Sequence, residues 1–154
     1  MKQEADSAER SLPAIYAERV RTLRTRSCSL DIPERENDVL IQHTLLGIEL
    51  KVGKRRFACP DLATARYMQV FARLGCREFA IPYDITKISV LADDLETAWQ
   101  RALLMLDGET TLESASRRKR LRTQLVKSIR SELASTGPGE KMPEFKQSTK
   151  QRST

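Results

Sequence analysis

The residue types that carry chemistry are few in this chain, and they are not spaced to cooperate. His43 is the only histidine, and a side-chain nucleophile needs a base, usually histidine, held beside it. Standing in Ile41, Gln42, His43, Thr44 with no identifiable partner, it reads as a structural or solvent-facing residue. Cys28, Cys59 and Cys76 lie 31 and 17 residues apart, an odd set with no C-x-x-C pair and no histidine cluster. That spacing disfavours both a structural zinc and a disulfide framework, and it reads as small buried hydrophobes. The six glycines form neither G-x-G-x-x-G nor G-x-x-x-x-G-K-[ST], so no phosphate loop is expected.

Carboxylates remain, because pairs of them perform acid and base catalysis and several convergent ones hold hard cations. Asp93, Asp94 and Glu96 cluster in one segment, where they read as the solvated face of a helix. As a negative surface they are also available to pair with the basic end of the chain, within one molecule or between two. The expectation is a protein that is not an enzyme, with no cofactor and no metal.

Charge is the more informative property. The formal net charge is +6 over 154 residues. Residues 1–37 and residues 38–108 are each balanced, so the excess lies wholly in residues 109–154. Its densest part is Arg117, Arg118, Lys119, Arg120 and Arg122, followed by Lys127 and Arg130, and these seven are the candidate binding residues. On a helix they wrap around as a positive sleeve, with Arg118, Arg122 and Arg130 directed away from part of the seam of Leu121, Leu125 and Ile129. Such a sleeve suits phosphates, an acidic protein surface or an anionic membrane. Arg19, Arg21, Arg24 and Arg26 form a second run, offset by nearby acids, and Lys54, Arg55 and Arg56 read as protection of a sheet edge. No nucleic-acid module is spelled out, and aromatics at 5 % make base stacking an unfavourable mode of recognition.

The elements that position these residues follow from periodicity. Leu46, Ile48, Leu50 and Val52 alternate with polar neighbours, Gly53-Lys54 suits a two-residue turn, and Arg55 to Cys59 returns around Phe57. Pro60 and Asp61 open a helix over 61–74 that Gly75 closes. A third strand is expected at 77–83, with Pro82 confining it to an edge. Ile88, Leu91, Leu95, Ala98, Trp99, Ala102 and Leu106 mark a helix over 86–107 that buries Trp99 and ends at Gly108. The box Thr110 to Glu113 predicts the start of a last helix running to 134, whose seam is narrow enough to dock on one neighbour. Leu12, Ile15, Tyr16, Val20 and Leu23 predict an N-terminal helix over 11–26.

Together these predict an α+β fold: a small three-stranded antiparallel or mixed sheet, with a β-hairpin over about 44–59, then helix, strand and helix, plus two accessory helices at the ends. The organisation expected is an N-terminal helix and linker (1–37), a compact α+β core (38–108), a basic amphipathic helix (109–134) and a disordered tail (135–154). No stretch approaches the roughly 20 apolar residues of a membrane span, and the polar start at Met1 to Asp6 lacks an apolar export core. A cytoplasmic location is expected. The expected function is that of a small regulatory or adaptor protein binding a larger protein partner through its core and its basic helix. The alternative is an accessory nucleic-acid-binding protein that uses the basic helix and tail on phosphates.

Overall fold

Ser11 starts the first helix, its hydroxyl accepting from the Ala14 amide at 3.3 Å, while Pro13 sits in the first turn where a missing N–H costs nothing. The computed structural model describes residues 10–137, and these adopt an α+β fold. Helix α1 (Leu12–Ile15) widens into a π-helical turn, Tyr16–Val20, closed by the Arg21 amide on the Tyr16 carbonyl. The expected helix to Arg26 therefore stops short, and the chain enters an unforeseen strand β1 (Thr25–Ser29). Thr-Arg-Ser-Cys-Ser carries no apolar alternation, so nothing in its pattern announces a strand.

Strands β2 (Val39–Thr44), β3 (Gly47–Val52) and β4 (Arg55–Cys59) form an antiparallel meander, and α2 (Leu62–Leu74) follows. The hairpin of β3 and β4 forms as expected, with Val52 opposite Arg55 across Gly53-Lys54. The third strand of this sheet is β2, however, not the segment at 77–83. That segment is β5 (Glu78–Pro82), which pairs antiparallel with β1 in a separate two-stranded sheet, Cys28 opposite Phe79 and Thr25 opposite Pro82. Pro82 is the last residue of the strand and lies on a sheet edge as expected, since both strands of a two-stranded sheet are edges.

The ladder of β1 and β5 continues outward through Tyr83 N–H to the Arg24 carbonyl and Leu30 N–H to the Arg77 carbonyl. Antiparallel alternation then turns the Ala80 amide and carbonyl away from β1. Two tyrosines meet them: the Tyr16 hydroxyl accepts from Ala80 N–H at 2.8 Å, and the Tyr67 hydroxyl donates to the Ala80 carbonyl at 2.6 Å. Side chains thus do what a third strand would do. Tyr16 also donates to the Gly137 carbonyl at 2.6 Å, tying the far end of the chain to the same point. Tyr16→Phe is expected to cost about 1–3 kcal/mol, because it strands a buried amide without a partner. Urea unfolding checks this, and a loss below about 0.5 kcal/mol would show that Ala80 finds another partner.

Asp61 caps α2 through the Thr64 amide, and Asp84 caps α3 (Ile85–Glu109) through the Thr86 amide. Phe71 and Phe79 stack at 4.4 Å between α2 and β5, and Trp99 of α3 is buried with 2 % exposure. Gly108 does not end α3, which passes through it to Glu109. Thr110 is not the cap of the next helix either: its hydroxyl donates to the Leu106 carbonyl behind it. Helix α4 spans Ala115–Thr136 and is capped by Ser114 through the Arg117 amide at 3.1 Å. Ser135 and Thr136, placed in the tail by their composition, are its last residues, and 138–154 lie outside the described residues. Leu12, Ile15, Tyr16 and Val20 at one end and Val126, Ile129 and Leu133 at the other join the same apolar core. No helix among the described residues is long and apolar enough to cross a membrane.

Candidate functional site

Helix α4 and the segment joining β1 to β2 face each other across an open groove of about 670 Å³. Its far wall, residues 34–38, is held against the C-terminus of α2. Asn37 donates its backbone N–H to the Arg73 carbonyl at 2.9 Å and its side-chain amide to the Pro33 and Ala72 carbonyls. Gly75, the left-handed cap of α2 with φ +78°, lets this segment approach so closely that a Cβ there would lie 2.3 Å from the Arg35 carbonyl oxygen. The near wall is α4, which presents Lys119, Arg122, Lys127 and Arg130.

The seven cations nominated by charge density thus divide into two groups. Arg122 grips Glu36 in a forked ion pair, Nε to both carboxylate oxygens at 2.9 and 3.1 Å and Nη2 to one of them at 2.5 Å, which pushes the Arg122 pKa upward. Arg130 donates to the Leu74 carbonyl at 2.8 Å, satisfying an end group of α2. These two staple the helix to the core, so they do not belong to an outward sleeve. The helical wheel places them away from the Leu121 seam, but it cannot show that the groove wall wraps around to meet them.

Arg118, Lys119, Arg120 and Lys127 are exposed and make no ion pair with the described residues, and Arg117 pairs only with Glu113, one turn back, at 3.2 Å. Residues 111–120 are all exposed. Leu112, in the loop that leads into α4, is 97 % exposed, and Leu104 and Met105 near the end of α3 are exposed as well.

No known protein family, curated protein or solved structure matches the chain. The reading of the site therefore rests on its own chemistry.

The other groups considered for chemistry are engaged elsewhere. Asp93 pairs with Arg66, Asp94 with Arg19 and Glu96 with Arg73 at 2.6 Å, so the acidic cluster fastens α3 to α2 and to the π-turn and does not meet the basic helix. The second basic run is dispersed: Arg21 reaches the Thr136 carbonyl, and Arg24 lies over the Tyr83 ring at 5.3 Å. Arg55 pairs with Asp31 at 2.6 Å, and Arg56 approaches Glu49. Burial pushes all three thiols up, Cys76 to about 12, which keeps them protonated and weak as nucleophiles. His43 is exposed on β2. Among the described residues no group of three or more His, Cys, Asp or Glu side chains is arranged to hold a metal ion.

Proposed function

We propose that the protein is a small, non-catalytic regulatory or adaptor protein that grips an acidic surface of a larger protein partner with the start of α4. One observation carries this reading: four cations, Arg117 to Arg120, occupy the first two turns of a helix that has no acid in its first turn. The positive end of the helix dipole repels them there, at about 0.3–1 kcal/mol for a well-placed charge. Among the described residues only Arg117 gains an ion pair in return. A charge arrangement that works against its own helix is explained by something it binds.

Exposed Leu112, five residues before Arg117, favours a protein over phosphates. Leu112 supplies an apolar contact of the kind that anchors a protein interface, whereas a nucleic-acid backbone gains little from exposed leucine. Binding through phosphates is the second reading, supported by the unpaired cations alone. The three unpaired cysteines fit a reducing compartment, and the cytoplasmic location belongs to the same proposal.

The test uses the variant Arg117→Gln, Arg118→Gln, Lys119→Gln, Arg120→Gln in the full chain. Its melting temperature is expected to equal or slightly exceed the parent's, because the charges it removes oppose the dipole. A protein captured by the parent from nuclease-treated extract, stable in moderate salt, is expected to be lost by the variant. Capture that vanishes with nuclease in the parent transfers the site to nucleic acid, and equal capture by both chains removes α4 from the interface.

A further inference from the structure

Among the described residues, the tethers of α4 to the rest of the fold all lie in its later part. Arg122 holds Glu36, Val126, Ile129 and Leu133 enter the core, Arg130 donates to the Leu74 carbonyl, and the Gly137 carbonyl accepts from Tyr16. Residues 115–120 are exposed throughout, and none of their side chains bonds to a strand or to another helix. The chain ahead of them is fixed again: Thr110 is 4 % exposed, and the hydroxyls of Thr110 and Thr111 donate to the Leu106 and Asp107 carbonyls of α3. The start of α4 is therefore a bridge between two anchored points.

Within this bridge the charges work against the helix that carries them. Beyond the repulsion by the dipole, Arg117 and Arg120 stand three residues apart, Lys119 and Arg122 three, and Arg118 and Arg122 four. At these spacings side chains on a helix are neighbours, and like charges there destabilise it. The Ser114 cap and the Glu113 pair with Arg117 act in the other direction. Packing is the main source of helical stability in a folded protein, and this part of α4 has none.

We infer that residues 115–120 pass between helix and unwound chain in the free protein, and that the acidic partner locks them as helix. The inference rests on the acidic-partner reading above. A ligand shifts such an equilibrium only by favouring one state over the other. Here the preference is built in, because repulsion by the dipole and between neighbours three and four apart belongs to the helical state, and carboxylates that neutralise the cations relieve it there. Unwinding leaves α4 attached, since Thr110 and Arg122 stay anchored on either side. Binding is thereby coupled to the folding of a short segment, and affinity falls in proportion to the share of molecules in which that segment is unwound.

Amide hydrogen exchange of the full chain tests this, read at Lys119, Arg120 and Leu121 and compared with residues 126–133. In the free chain the three amides are expected to exchange about 100-fold faster than the docked part. A saturating glutamate-rich polypeptide at low salt is expected to slow them about tenfold and to leave residues 126–133 unchanged. The variant Arg117→Gln, Arg118→Gln, Lys119→Gln, Arg120→Gln is expected to slow them without any polypeptide, because the repulsion is gone. Equal protection along α4 in the free chain overturns the inference, and so does a bound polypeptide that leaves the three amides as fast as before. Absence of binding, read from the anisotropy of a labelled polypeptide, removes the acidic-partner reading instead. The glutamine variant then still decides whether charge loosens the segment, and unchanged exchange in it overturns that as well.

Discussion

Gly75→Ala is expected to cost more than about 3 kcal/mol, enough to unfold much of the protein, for two reasons that act together. A side chain disfavours φ +78° by about 1–2 kcal/mol. The added Cβ would also lie 2.3 Å from the Arg35 carbonyl oxygen and 2.4 Å from its amide nitrogen, both backbone atoms with no rotamer to yield. Relief requires moving the segment that carries the Asn37 bonds to α2 and the Glu36 pair to Arg122, so the far wall of the groove goes with it. Gly53→Ala is the control. It has a similar φ of +62° but open space around the Cβ, and is expected to lose only the backbone cost of about 1–2 kcal/mol. Urea unfolding of the two variants separates the contact from the backbone angle, and equal losses would show that Arg35 yields.

Trp99→Ala is expected to cost about 3–5 kcal/mol, the range for deleting a buried aromatic side chain. Trp99 is 2 % exposed in the middle of α3, among Leu95, Ala98 and the core-facing turns that meet α2. Circular dichroism measures the loss in the variant. In the parent, the fluorescence of this single tryptophan should be blue-shifted and shielded from a soluble quencher. Red-shifted, freely quenched emission would contradict the burial.

The parts of the fold that were legible in the sequence are those with a strong local period. The β3 and β4 hairpin and α2 with its Gly75 cap have alternation or helical spacing plus a stop signal, and the α3 stripe through Trp99 has the spacing, although Gly108 does not stop it. What escaped was set by long-range pairing. Strand β1 is polar, and β5 resembles a continuation of the first sheet until Ala80 is seen to give its outward hydrogen bonds to Tyr16 and Tyr67. Ser114 outcompeted Thr110 as the cap of α4, since α3 ran on through Gly108 and drew the Thr110 hydroxyl back to Leu106.

At the candidate site, charge density found the right helix but not its division of labour. Arg122 and Arg130 look the same as Arg118 and Lys119 in the sequence. Only Glu36 and the Leu74 carbonyl, 86 and 56 residues away, distinguish staples from free cations. Leu46, expected as the first apolar residue of the alternation through Val52, lies instead with Leu45 in the exposed turn before β3.

The central claim is that Arg117 to Arg120 serve binding and not folding. It is tested most directly by measuring, on the same preparations, the melting temperature and the association rate with a glutamate-rich polypeptide for the parent and for the chain with all four replaced by glutamine. An unchanged or higher melting temperature with an association rate at least tenfold slower at low salt, the difference shrinking as salt screens the charges, is the predicted result. A lower melting temperature with an unchanged association rate would contradict it.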